Sequence, residues 1–267
     1  MTRNARIILF LVAFLLLPAV SPAKSQVGPR LKEYMTKTLL PHLWHDTKTT
    51  FTQPETWMWI GVGAALTVGA HQYDWQVNDY WKDHKQMYGL SDFGNDWWGA
   101  GELQGALALS MTLAGWHFEN EKLANAGEVL IEAQIIQGVI INVIKPIANK
   151  ERPNGSSNLS FPSGHTGTAF CTAAVLHDRF GWGVAVPLYT AAVITAMSRM
   201  DVQAHWLSDT VMGATIAMVT GYSVSRYHDD YPWDIKWGKS SENPSARVMV
   251  LPAFLDGKPG LSITAMW

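Results

Sequence analysis

A chain of 267 residues with a formal net charge of −2 and one cysteine has room for one sizeable helical domain, and a second full domain would be a squeeze. The near-neutral balance gives no reason to expect a nucleic-acid partner, so any anion must be met by a few locally placed cations. Cys171 alone excludes an intrachain disulfide and is expected as a small buried residue on a helix.

The chain begins with Arg3 and Arg6, an apolar run over 7–20, and then Ser21-Pro22-Ala23. This three-part pattern predicts a secretory signal over residues 1–23, with an uncleaved anchor helix as the competing reading. A polar segment, 24–56, follows with Pro41 and Pro54. Six apolar segments then recur at 57–70, 103–116, 126–147, 161–176, 183–197 and 206–223, and they predict six helices within a domain spanning 57–239. Several are rich in Ala and Gly, Glu128, Glu132 and Gln134 interrupt the third, and mean hydropathy is +0.00. A compact periplasmic bundle and a polytopic membrane bundle both fit this pattern.

Between the first two segments, 71–102 is polar yet carries Tyr73, Trp75, Tyr80, Trp81, Tyr88, Trp97 and Trp98, part of a total of 13 tryptophans. Rings with one wet edge suit a membrane interface, and an amphipathic helix and loop packed on the bundle is the alternative. The tail, 240–267, changes character: 247–251 and 261–264 read as short strands around Asp256-Gly257.

Three clusters carry the chemistry: Lys145-x6-Arg152-Pro153, then Pro162-Ser163-Gly164-His165, then Ser198-Arg199-x5-His205-x3-Asp209. Each falls at a predicted helix end, where side chains and free backbone amides can converge. Phosphoryl transfer spreads charge over equatorial oxygens that fixed cations and N–H donors must meet. Arg152 and Arg199 offer planar forks and Lys145 a point charge. Ser163 and Gly164 open a helix whose unpaired N–H groups face an anion, with Gly164 allowing close approach.

The four-residue spacing of His205 and Asp209 predicts a shared helical face on which the carboxylate orients the ring for attack. His165, at the mouth of its helix, is placed to protonate the leaving oxygen. The remaining histidines (His42, His45, His71, His84, His117, His177 and His228) are read as structural or exposed. No His-x-x-x-His or carboxylate cluster accompanies the three motifs, and three cations would repel a metal, so no metal is expected there.

Together the three motifs resemble the signature of the type 2 phosphatidic acid phosphatase (PAP2) and vanadium haloperoxidase superfamily, matched in order across 145–209. The resemblance implies an all-α bundle in which Lys145, Arg152, Ser163, Gly164 and Arg199 hold phosphate, His165 is the general acid, and His205 with Asp209 forms a phosphohistidine intermediate. Members act on phosphatidate, phosphatidylglycerophosphate, undecaprenyl pyrophosphate, lipid A or soluble esters, and one branch keeps vanadate in the same pocket. Asp201 and Gln203, in the x5 stretch, and the strand-like tail lie outside the shared pattern.

The expectation is a metal- and cofactor-independent phosphatase of phosphate monoesters in the bacterial envelope, with its site on the periplasmic side and a lipid phosphate as the preferred partner. A vanadium-dependent haloperoxidase, with vanadate as cofactor rather than inhibitor, is a second reading. A non-catalytic phosphate- or lipid-binding protein is a third.

Overall fold

The structure, a computed structural model, describes residues 27–84, 87–228, 247–255 and 258–266. It divides into two units, 1–232 and 233–267. The expected signal or anchor segment lies outside the described residues.

The described residues of the first unit form helices joined by turns and loops, without strands. Its elements are α1 (Val27–Glu33), a π-helical turn (Tyr34–Thr38), α2 (Leu39–Thr52), α3 (Pro54–His71), α4 (Asp74–Asp83), α5 (Tyr88–Asp92) and a second π-helical turn (Phe93–Trp98). Then come α6 (Gly101–His117), α7 (Glu121–Ala148), α8 (Gly164–Phe180), α9 (Trp182–Asp201) and α10 (Leu207–Tyr227). The six apolar segments correspond to α3, α6, α7, α8, α9 and α10, the fourth and sixth starting three residues and one residue before their helices.

Six is nevertheless an undercount, because the segment expected to be merely polar folds as α1 and α2. The residues that α2 buries are His42, Asp46 and Thr50, a stripe at i, i+4, i+8 made of polar side chains, which apolar periodicity does not register. The aromatic stretch also forms a helix, α4, which buries Trp81 and leaves Trp75 and Tyr80 exposed.

Local chemistry sets the helix ends. The Asn120 side chain caps α7 by accepting from the Leu123 amide at 3.0 Å, and Asn149 closes the helix in the left-handed region at φ 45°. Ser163 caps α8. The core lies where α6, α7, α8 and α10 meet, around Ala108, Val129, Leu130, Ala133, Ile136, Cys171, Val175, Ala217 and Val224. Small side chains permit close approach: a Cβ on Gly127 would stand 2.4 Å from the Thr112 amide nitrogen.

Among the described residues two helices, α7 and α9, are long and apolar enough to cross a membrane. Large apolar side chains are exposed on α3 (Trp57, Leu66, Val68), on α7 (Val139, Val143, Ile147) and on α9 (Trp182, Val186, Val193).

The second unit contains an antiparallel pair, β1 (Arg247–Leu255) and β2 (Lys258–Met266), registered with Arg247 opposite Met266 and Leu255 opposite Lys258.

Candidate active site

Helix order alone gathers the motifs. The C-terminal ends of α7 and α9 and the N-terminal ends of α8 and α10 carry Lys145, Arg199, Ser163 with Gly164 and His165, and Asp209. Cross-links join these ends. The Ser163 amide donates to the Asp209 carbonyl at 3.0 Å, and the amides of Ala204 and His205 both donate to the Arg199 carbonyl, at 3.0 and 3.2 Å. The Asn154 amide donates to the Gln203 carbonyl at 3.1 Å, which pins the loop after Arg152 to the turn before His205. A Cβ on Gly213 would stand 2.4 Å from the Ser163 carbonyl oxygen, so only glycine lets α10 lie this close to the α8 cap.

His205 and Asp209 meet, but not as neighbours on one helical turn. His205 lies in the bend before α10 and Asp209 in the first turn of that helix. Their closest atoms, Nδ1 and Oδ2, are 3.6 Å apart, an ion-pair distance rather than a hydrogen bond. Both side chains are buried. Burial is the largest influence on His205 and pushes its pKa down to about 4, aided by the charges of Arg199 and Lys145 and opposed by Asp209. For Asp209 burial acts upward, yet His205, Lys150 and Ser160 together hold the carboxyl below its ordinary value.

The three motif cations lie within reach of one another's charge. The charges of Arg152 and Arg199 both reach Lys145, and that of Arg152 reaches Arg199. Lys145 Nζ donates to the carbonyls of Leu159 and Pro162 at 2.9 and 2.8 Å, bracing the loop that leads into α8 and leaving a third N–H. Arg152 Nε and Arg199 Nε are buried, and neither has a hydrogen-bond partner among the described residues. Buried donors of this kind are expensive to leave unmet. Gly164 stands in open space, since a Cβ there would approach nothing closer than Ile141 Cγ2 at 4.0 Å. Ser163 Oγ accepts from Thr166 Oγ1 at 3.0 Å and keeps its own proton to donate.

The family model described as the PAP2 superfamily matches residues 127–233. The chain is 37% identical over 90 residues to a lipid A 1-phosphatase of Porphyromonas gingivalis, covering 32% of this chain and 20% of that protein. It is 32% identical over 112 residues to a lipid A 4'-phosphatase of Helicobacter pylori, covering 38% of this chain and 57% of that one. The chain thus spans about a fifth and just over half of these two relatives.

Residues 127–233 belong to the PAP2 superfamily.

The crystal structure of a transmembrane PAP2-type phosphatidylglycerolphosphate phosphatase from Bacillus subtilis has the same fold: 18% identity, TM-score 0.53, covering 70% of this chain and 97% of that one. All the motif residues expected in the site fall inside the PAP2 segment, while the elements that flank it supply further partners.

Sequence reading missed one group of partners. Lys150, inside the x6 stretch, donates from Nζ to Asp209 Oδ1 at 2.9 Å, Asp74 Oδ2 at 2.9 Å and Ser208 Oγ at 2.7 Å. Asp74 Oδ1 also accepts from the Ser208 amide at 2.9 Å, and Asp209 Oδ2 accepts from Ser160 Oγ at 2.5 Å and the Trp206 amide at 2.9 Å. The Asp209 carboxylate is therefore fixed by three donors besides its contact with His205, and Lys150 ties it to α4. A second basic residue between Lys145 and Arg152 was the available signal for Lys150. Nothing in the sequence pointed to Asp74.

Asp201, in the x5 stretch, is buried, and its Oδ1 has no partner among the described residues. The aromatic stretch reaches the site: a Cβ on Gly99 would stand 3.1 Å from His165 Cβ, and one on Gly94 would stand 2.6 Å from Ser198 Oγ. An open cleft of about 400 Å³, walled by His71, Asp74, Trp75, Lys150, Arg152 and Trp206, lies on the Asp74 and Lys150 flank. Arg152 is the only expected phosphate ligand in its wall, so the cleft adjoins the other motif residues rather than enclosing them.

Proposed function

We propose that the protein is a phosphatase of lipid phosphate monoesters at the bacterial envelope, working on the periplasmic side through a phosphohistidine on His205. The observation that carries this reading is the pair of buried, unmatched guanidinium donors on Arg152 and Arg199, gathered with Lys145 at the N-terminus of α8. A tetrahedral phosphoryl group satisfies those donors together with the free amides at the start of the helix.

With its Nδ1 proton toward Asp209, His205 attacks phosphorus through Nε2, the P–O bond to the alcohol breaks, and His165 gives its proton to the departing oxygen. Water then attacks the phosphoimidazole, returning a proton to His165 and releasing inorganic phosphate. Lys145, Arg152, Arg199, the Ser163 hydroxyl and the amides beside Gly164 neutralise charge on the equatorial oxygens, so the step needs neither metal nor organic cofactor. Orthovanadate, a trigonal-bipyramidal mimic of that state, is expected to act as a competitive inhibitor.

A lipid substrate is supported by two features. The curated relatives bear lipid A phosphatase names, and exposed apolar faces on α3, α7 and α9 accompany two helices long enough to cross a bilayer.

The test is phosphate release from lipid A, phosphatidylglycerophosphate and phosphatidate in mild detergent by wild type and His205→Ala, with the protein denatured mid-turnover to look for acid-labile, alkali-stable protein-bound phosphate. Release and label that both vanish in the variant support the reading. Turnover that survives His205→Ala overturns the mechanism, and the absence of wild-type release from every lipid overturns the substrate class.

A further inference from the structure

At the junction of α2, α7 and the end of α10, two histidines and two carboxylates are sealed from water. Exposure is 2% for His42, 1% for Asp46, 0% for Glu132 and 2% for His228. Glu132 Oε1 lies 3.4 Å from His42 Nδ1, Glu132 Oε2 lies 2.9 Å from His228 Nδ1, and Asp46 Oδ2 lies 3.5 Å from that same nitrogen. The two imidazole rings meet edge to face at 4.8 Å. Asp46 Oδ1 is buried without a hydrogen-bond partner among the described residues. None of these residues belongs to the PAP2 motifs. Glu132 stands 13 residues before Lys145 on α7, which puts about 20 Å of helix between the cluster and the phosphate ligands.

We propose that His42, Glu132 and His228, with Asp46 as the fourth donor, form a structural site for a divalent transition metal of the zinc class.

Charge balance is the first argument. Two buried carboxylates cannot remain ionised without compensation, and two neutral imidazoles supply none. One divalent cation cancels both charges and leaves both rings neutral, as ligation requires. Donor chemistry is the second: two ring nitrogens and two carboxylate oxygens match zinc, ferrous iron or manganese better than magnesium or calcium, which favour all-oxygen shells. Geometry is the third. One ligand atom from each of His42, Glu132 and His228 lies within 4.8 Å of the others. Around an ion about 2.1 Å from each donor, tetrahedral neighbours stand about 3.4 Å apart, so side-chain closure of roughly an ångström draws these three donors into one shell. An outer partner is present as well, since the Tyr34 hydroxyl donates to Glu132 Oε1 at 3.0 Å. The ion would bolt the polar stripe of α2 to the core helices, giving that stripe a reason to be polar.

The experiment is metal analysis of the full chain, purified in detergent without a histidine tag, after growth with added zinc, manganese and iron and exhaustive dialysis. One tightly held ion per chain is expected, retained in His205→Ala. The ion should be lost in His42→Ala and in Asp46→Asn, with affinity lowered at least about tenfold. Cobalt(II) exchanged into the wild type should give visible d–d bands of a low-coordinate site, absent from those variants. Wild-type protein that holds no more metal than His42→Ala, and gives no cobalt bands, overturns the proposal even if the variants fold poorly. The cluster would then be an ion-pair network balanced by protons. Metal that disappears in His205→Ala but persists in His42→Ala would overturn it too, by moving the ion to the catalytic residues.

Discussion

In the proposed mechanism His205 must be neutral to attack, and its depressed pKa decides how far into acid it stays so. With the value pushed down to about 4, the acid limb of kcat/KM should fall near pH 4 instead of near the ordinary histidine value of about 6.5. Stability should follow the same window. Between about pH 6.5 and 4 the unfolded chain takes up a proton that native His205 refuses, so the unfolding midpoint should drop as pH falls through that range, and His205→Asn should flatten the slope. Lys150 positions rather than reacts. Lys150→Ala leaves Asp74 and Asp209 facing each other without their shared cation, and kcat should fall about 10- to 100-fold with KM little changed. Because the Asp209 charge would then bear more fully on His205, the acid limb should also move to higher pH, and Lys150→Arg should restore part of both. A Lys150→Ala enzyme with wild-type kcat and pH profile would remove this role.

The spacing of helix ends, more than the interior of any helix, determines whether the site exists. Gly213→Ala drives a methyl into the Ser163 carbonyl, forcing α8 and α10 apart. The expected cost is about 1–3 kcal/mol of stability, read by thermal unfolding, with a loss of turnover although Gly213 has no substrate-facing side chain. At this scale sequence and structure can be compared directly. The six apolar segments were legible because their periodicity comes from burial, and the motif residues because phosphate chemistry demands those types at helix ends. α2 was illegible because His42, Asp46 and Thr50 are polar on the very face it buries. The His205 and Asp209 pairing was anticipated from helical spacing, whereas a bend brings the two together. Asp74 could not be found at all, since its partner Ser208 lies 134 residues along the chain.

Across the whole described helical unit, apolar surface is spread over several helices rather than confined to one seam, and α7 alone exposes Val139 by 58% and Val143 by 56%. Such surface on a charge-balanced chain suits contact with acyl chains. Val139→Glu combined with Val143→Glu should therefore weaken recovery with lipid vesicles in flotation, since an acidic side chain at the middle of a bilayer costs about 2.5–3.5 kcal/mol. Hydrolysis of a soluble aryl phosphate by the same variant should stay at the wild-type rate. Equal flotation of both proteins would dissociate these faces from lipid.

The cross-linked helix ends have a mechanical meaning as well. Lys145, Arg152 and Arg199 repel one another across the place where α7, α8, α9 and α10 meet, so part of the cohesion of that end is borrowed from whatever anion arrives. A bound oxyanion acts there as a rivet: at about 100 times its dissociation constant it adds about 2.7 kcal/mol to the folded state. In the proposed reaction each cycle therefore tightens this end of the bundle when substrate docks and slackens it when phosphate leaves.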